Sequence, residues 1–277
     1  MSNNPFSNGQ YNEGDDMSFS TSSSEDLNNY YSSNVADGVG NMAGLNRATF
    51  DTASNTLLST GVREQSVLVK SLFFMCAALV ISAISSYFGL QMIYSNPEGF
   101  MSLMVPMIIG ELVLVFAAGS FMSKGNAVGS AVTFFLYSVV NGIVLSVVFI
   151  AYSLGSIVTI FLITAFLFAA LAIYGSVTNT DLTPLRSFLF MSLLGIIIGG
   201  FVNLFLHNAM FDTLLCVFGV VIFAGITAYD IQKIKNINME NPSASELTVA
   251  MYGGLQLYLD FVNIFLKLLR LFGKSRN

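Results

Sequence analysis

From Val67 to Phe272 the chain alternates between continuous apolar stretches and short polar breaks. The stretches cover residues 67–94, 101–122, 128–150, 154–177, 185–206, 211–235 and 248–271. Each is long enough to cross a hydrocarbon layer about 30 Å thick as a helix. A membrane barrel would instead show in-and-out alternation along short strands. Unbroken apolar runs satisfy their backbone in lipid only as helices, so the pattern predicts an all-α membrane protein with seven spans. The breaks are short: NPEG, SKGN, NTDLTP and HNAMFD, with KNINMENPSASE the longest. Short connections predict one bundle over residues 63–273.

Residues 1–62 break the pattern. A stretch such as STSSSEDLNNYYSSN buries too little apolar surface to offset its ordering entropy, which predicts a disordered Ser/Asn-rich tail. The first apolar run is too long for the core of a signal peptide.

Composition agrees with the pattern. Hydrophobic residues make up 54% and charged residues 10%, where soluble domains carry roughly 25% charged; mean hydropathy is +0.71. The net charge of −5 says little about partners, because many of the acids lie in the tail; no nucleic-acid partner is expected. Cys76 and Cys216 fall inside apolar spans with no metal or disulfide spacing, and no nucleotide loop is present. We therefore expect no catalytic machinery and no resident cofactor, with the lipid bilayer as the first partner.

The placement of Lys and Arg sets the expected orientation. Arg63, Lys70, Lys124, Arg186, Lys233 and Lys235 lie on the tail side, whereas the connections after spans one, three and five carry no Lys or Arg. This predicts a cytoplasmic N-terminus, in a cell membrane for a bacterial protein or the endoplasmic reticulum for a eukaryotic one. Lys267, Arg270, Lys274 and Arg276 run against the rule. Charge alone leaves open whether the seventh segment crosses fully or dips in and returns.

The few polar groups inside the spans are the candidate chemistry. Intramembrane acids are expensive and usually functional, and Glu111, Asp230 and Asp260 lie within or at the edge of spans. On the seventh span Gln256, Asp260, Asn263, Lys267 and Arg270 recur at steps of four and three, which places them within an arc of roughly 80°. Such a stripe faces protein or water rather than lipid. Lys267 and Arg270 are also placed to snorkel to the interface. His207, near Asn203, reads as interfacial. Asp230, with Thr227 a turn before it and Lys233 three residues after, fits either a local ion pair or a meeting with Asp260. Two carboxylates meeting at low dielectric cannot both stay ionised, so they share a proton and become a pH-sensitive latch. Deprotonated, the same oxygens attract a hard cation such as Ca²⁺.

TAYDIQKIKN at 227–236 and LQLYLDFVNIFLKLLRLFG at 255–273, supported by IIGELVLVF around Glu111, resemble the Bax inhibitor family of membrane proteins. The resemblance covers about residues 63–273. It implies a bundle with the seventh helix central, wrapped by the other six. It also implies a pH-dependent Ca²⁺ leak governed by Asp230 and Asp260, with Ca²⁺ as the permeant ion and both aspartates as its transient ligands. Gln256, Asn263 and Glu111 are the supporting polar groups. Relatives of this kind carry arginines at the end of the second span that lock onto the pair; here that stretch reads GSFMSKGN and its nearest base is Lys124. Lysine is the poorer clamp for a carboxylate.

Three other readings compete. An intramembrane aspartyl protease would match Tyr229-Asp230, but no glycine pair precedes Asp260 and no PAL follows it. A retinal protein using Lys267 as Schiff base would commonly carry Trp, and the chain has none. A non-conducting scaffold, regulating cell death or membrane-protein quality control through membrane-protein partners, is the strongest alternative.

Overall fold

The computed structural model describes residues 67–178, 180–240 and 246–276, with side chains omitted at 237–240. The predicted tail at 1–62 lies outside the described residues. Seven helices follow: α1 (Val67–Ser95), α2 (Pro97–Ser123), α3 (Ala127–Ala151), α4 (Leu154–Val177), α5 (Leu185–Leu206), α6 (Ala209–Glu240) and α7 (Glu246–Phe272). All seven are long and apolar enough to cross a membrane. Among the described residues the only extended pairing is an isolated bridge between Tyr152 and Ser275.

Local chemistry sets the helix ends. Asn96 accepts the Gly99 amide at 2.9 Å and Pro97 occupies the first turn, so α2 starts at Pro97 rather than at the expected residue 101. Asn126 caps α3 in the same way through Gly129, after Gly125 turns the chain at φ +68°. Between α4 and α5, Asp181 accepts the Thr183 amide at 2.9 Å, and hydrogen bonding to Thr183 holds its carboxyl below the ordinary range. A lowered folded value means this loop contact is present at neutral pH and lost as pH falls through it.

α7 is the axis of the bundle. Of its membrane-crossing stretch 72% is buried, against 6% for α2. Tyr258, Leu257 and Ile264 are fully enclosed. Phe261 meets Phe161 at 5.3 Å and Phe168 at 5.7 Å, while Tyr258 meets Phe134 and Tyr137 at 6.0 and 5.8 Å, all edge to face. Gly253 and Gly254 let α1 approach: a Cβ at Gly254 would stand 2.9 Å from Phe74 Cβ and 3.2 Å from the Ser71 carbonyl. α2, α3, α4 and α6 also pack against α7, and α5 packs chiefly on α6. Residues such as Phe116 and Phe166 point outward, as a lipid-facing surface requires.

α7 is one unbroken helix of 27 residues, about 40 Å long. Its end is clasped to the α3–α4 junction, at the far end of the bundle from the start of α1. The Ser153 amide donates to the Lys274 carbonyl at 3.0 Å, the Lys274 amide to Ser156 Oγ at 2.9 Å, and the Arg276 amide to the Ala151 carbonyl at 3.0 Å. Arg276 Nη1 also donates to the Phe149 carbonyl at 3.2 Å. The open question of the seventh segment is thereby answered: it runs the full length of the bundle.

Candidate functional site: an aspartate pair on α6 and α7

α6 and α7 run antiparallel through the middle of the molecule. Gly219 faces Lys267 and Ile234 faces Gly253. This register places Asp230 about one turn from the level of Asp260. The two carboxylates lie within electrostatic reach of each other and are buried, at 6% and 4% exposure. Spans ending at 235 and starting at 248 would leave Asp230 nearer the membrane edge than Asp260, but α6 continues to Glu240, about three turns beyond Asp230. Thr227, whose hydroxyl donates to the Phe223 carbonyl at 2.8 Å, lies beside the Asp260 carboxylate.

The local polar atoms are mostly acceptors. Asp260 Oδ2 and Gln256 Oε1, one turn apart on α7, are buried with no hydrogen-bond partner. Buried acceptors left unpaired cost free energy, so this spot favours a proton or a hard cation. Asn263, a turn further along, donates back to the Leu259 carbonyl at 2.8 Å. The base nearest the pair is Lys233, within electrostatic reach of Asp230. Its ammonium sits 5.1 Å over the Tyr252 ring and donates to the Tyr252 hydroxyl at 3.4 Å. Lys124, by contrast, is an exposed residue at the end of α2 and makes no ion pair among the described residues.

Glu111 belongs to a different cluster. It is half-buried and accepts from Asn141 Nδ2 at 3.2 Å. Asn141 Oδ1 in turn accepts from the Tyr258 hydroxyl at 3.0 Å, and that hydroxyl pairs with Ser82 at 2.6 Å. Ser82 donates to the Ser138 carbonyl at 2.8 Å. The chain of contacts ties α1, α2 and α3 to α7 on the face away from Asp260, because Tyr258 lies two positions from it. Of this network the sequence pointed to Glu111 alone; Ser82, Ser138 and Asn141, polar residues inside apolar spans, and Tyr258 were missed. Tyr258→Phe should lower stability in micelles by about 1 kcal/mol, the usual worth of an interhelical hydrogen bond in a membrane. A denaturation midpoint compared with the native chain reads this out.

Relatives place this arrangement in a family. The family model described as "Inhibitor of apoptosis-promoting Bax1" matches residues 64–277. The chain belongs to the Bax inhibitor family. An uncharacterised protein of Borreliella burgdorferi is 38% identical over 228 residues, covering 77% of this chain and 97% of that relative. The inner membrane protein YbhL of Escherichia coli K12 is 32% identical over 80% of this chain and 97% of its own length. An uncharacterised membrane protein of Streptococcus pyogenes serotype M1 is 35% identical over 69% and 86%. The chain is thus a multi-pass integral membrane protein of the Bax inhibitor family, with the seventh helix at the bundle centre.

Proposed function

We propose that this Bax inhibitor family member is a pH-sensitive Ca²⁺ leak protein gated by Asp230 and Asp260, with its N-terminus in the cytoplasm. The observation that carries the reading is the burial of two carboxylates within electrostatic reach of each other on neighbouring helices, next to unpaired acceptor oxygens at Asp260 and Gln256. Structural needs alone rarely justify two such acids at membrane depth. With one proton between them they join α6 to α7; without it they repel each other and draw in a cation. The unpaired acceptors at Asp260 and Gln256 are oxygens, the ligand type Ca²⁺ prefers. Two aspartates and an amide fall short of the six to eight oxygens that hold a resident Ca²⁺, which suits brief occupancy by a passing ion. Because Ca²⁺ competes with the shared proton, occupancy of the pair strengthens as pH rises.

Purified protein in liposomes loaded with a Ca²⁺ dye should pass Ca²⁺ at a rate that changes between about pH 6 and about pH 8. A silent assay throughout that range would leave the non-conducting scaffold as the better reading.

A further inference from the structure

A cavity of about 350 Å³ opens between α5, α6 and α7 at the end of the bundle where α5 turns into α6. It exists because α5 packs chiefly on α6 and leaves a gap beside α7. Lys267, Arg270, Asp212, Asn203, His207 and Leu215 are among its walls.

The charges inside it are unequally satisfied. Asp212 is held by Arg270 Nε at 2.6 Å and by Asn203 Nδ2 at 3.5 Å. The first free amides of α6 are taken by Asn208, whose Oδ1 accepts from Met210 and Phe211 at 2.9 and 3.1 Å. Lys267 is half-buried, and its ammonium has no hydrogen bond or ion pair among the described residues. Its stem runs close over Gly219, where a Cβ would stand 3.1–3.3 Å from Lys267 Cε, Cδ and Cγ. Arg270 meets Asp212 through Nε, and its terminal nitrogens have no hydrogen bond among the described residues; the side chain is 55% exposed and lines the cavity. With Asp212 neutralised by Arg270, the site carries one surplus positive charge beside the terminal nitrogens of Arg270.

We propose that this cavity binds a phosphate group, with Lys267 and the terminal nitrogens of Arg270 as its donors. Guanidinium and ammonium groups are the usual partners of phosphate oxygens, and basic clefts between membrane helices hold lipid headgroups by the same chemistry. The chemistry fits either an anionic lipid headgroup or free phosphate. The site is on the far side of Lys267 from the aspartate pair and does not depend on whether that pair conducts.

The test uses the full chain, first in micelles with inorganic phosphate, then in nanodiscs of phosphatidylglycerol or phosphatidylcholine. Lys267 should react with an amine-modifying reagent roughly tenfold more slowly when phosphate occupies the site, as read by mass spectrometry on the native chain. Protection by inorganic phosphate in micelles identifies a free-phosphate site. Protection by phosphatidylglycerol alone identifies a headgroup site. The same ligand should raise the melting midpoint of the native protein and of Lys267→Arg, but not of Lys267→Gln. Equal reactivity of Lys267 with and without both probes, or a Lys267→Gln protein that responds like the native one, would overturn the proposal and leave a water-filled vestibule.

Discussion

Replacing Asp260 by Asn is expected to cut Ca²⁺ flux by roughly tenfold or more, the size of a lost charge-assisted interaction, and to flatten its response to pH. Asparagine keeps the shape of the side chain but neither shares a proton nor carries a charge. The remaining Asp230 would then titrate alone, one turn away and within reach of Lys233. Asp230→Asn should act in the same direction. The double variant should add little to either single one, because groups that work as a unit are not additive. Dye-loaded liposomes containing each variant, matched for reconstituted protein, measure all three. If both single variants conduct like the native chain with the same pH response, the pair is no gate. The folded state gives a control: Asp260 Oδ2 is buried with no partner, so at the high-pH end of the range, where no proton joins the pair, neutralising it should not reduce the melting midpoint. A large loss of stability would mean that Asp260 is structural instead.

Gly142→Ala should produce a large loss of stability. On α3, Gly142 lies against α1, where a Cβ would overlap the Ser82 carbonyl oxygen and stand 2.7 Å from Ser82 Cα and 2.8 Å from Ser85 Cβ. Two of those atoms are backbone, so the helices must separate. Ser82 also carries the hydrogen bonds to the Ser138 carbonyl and to Tyr258, which in turn donates to Asn141. Separation therefore strains the whole network. Overpacking of this kind costs about 1–3 kcal/mol, and lost hydrogen bonds add to it. A melting curve in detergent should show a clearly lower midpoint for Gly142→Ala, while Gly195→Ala, where the added methyl meets nothing within 4 Å, serves as the neutral comparison. Equal midpoints for the two variants would refute the close packing of α1 on α3.

The pattern of apolar runs located every membrane helix to within a few residues, because length and hydrophobicity are properties of a segment by itself. The differences fall at the ends. α2 begins earlier because Asn96 and Pro97 cap it, and α6 runs on to Glu240 through polar residues that no hydropathy rule assigns to a helix. The positive C-terminus made the seventh segment ambiguous. Arg270 is neutralised by Asp212 from the start of α6, and Arg276 binds carbonyls at the end of α3. Neither partner is near in sequence, so charge counting had no access to them.

The polar stripe from Gln256 to Arg270 was likewise legible as a period on one helix, since helical geometry alone puts those residues on one face. Its surroundings were not. Whether Asp260 meets Asp230, whether Lys233 rather than Lys124 stands near the pair, and where Lys267 finds room beside Gly219 are all set by the register of α6 against α7. The sequence by itself determined seven helices, their membrane solvent and one helix with a polar face. Only the tertiary structure decided which polar atoms meet, because inside a bilayer the hydrophobic pattern fixes that a helix is buried in lipid or protein but not its rotation or axial offset. Those are chosen by close contacts such as Gly142 on α1 and Gly253 and Gly254 on Ser71 and Phe74.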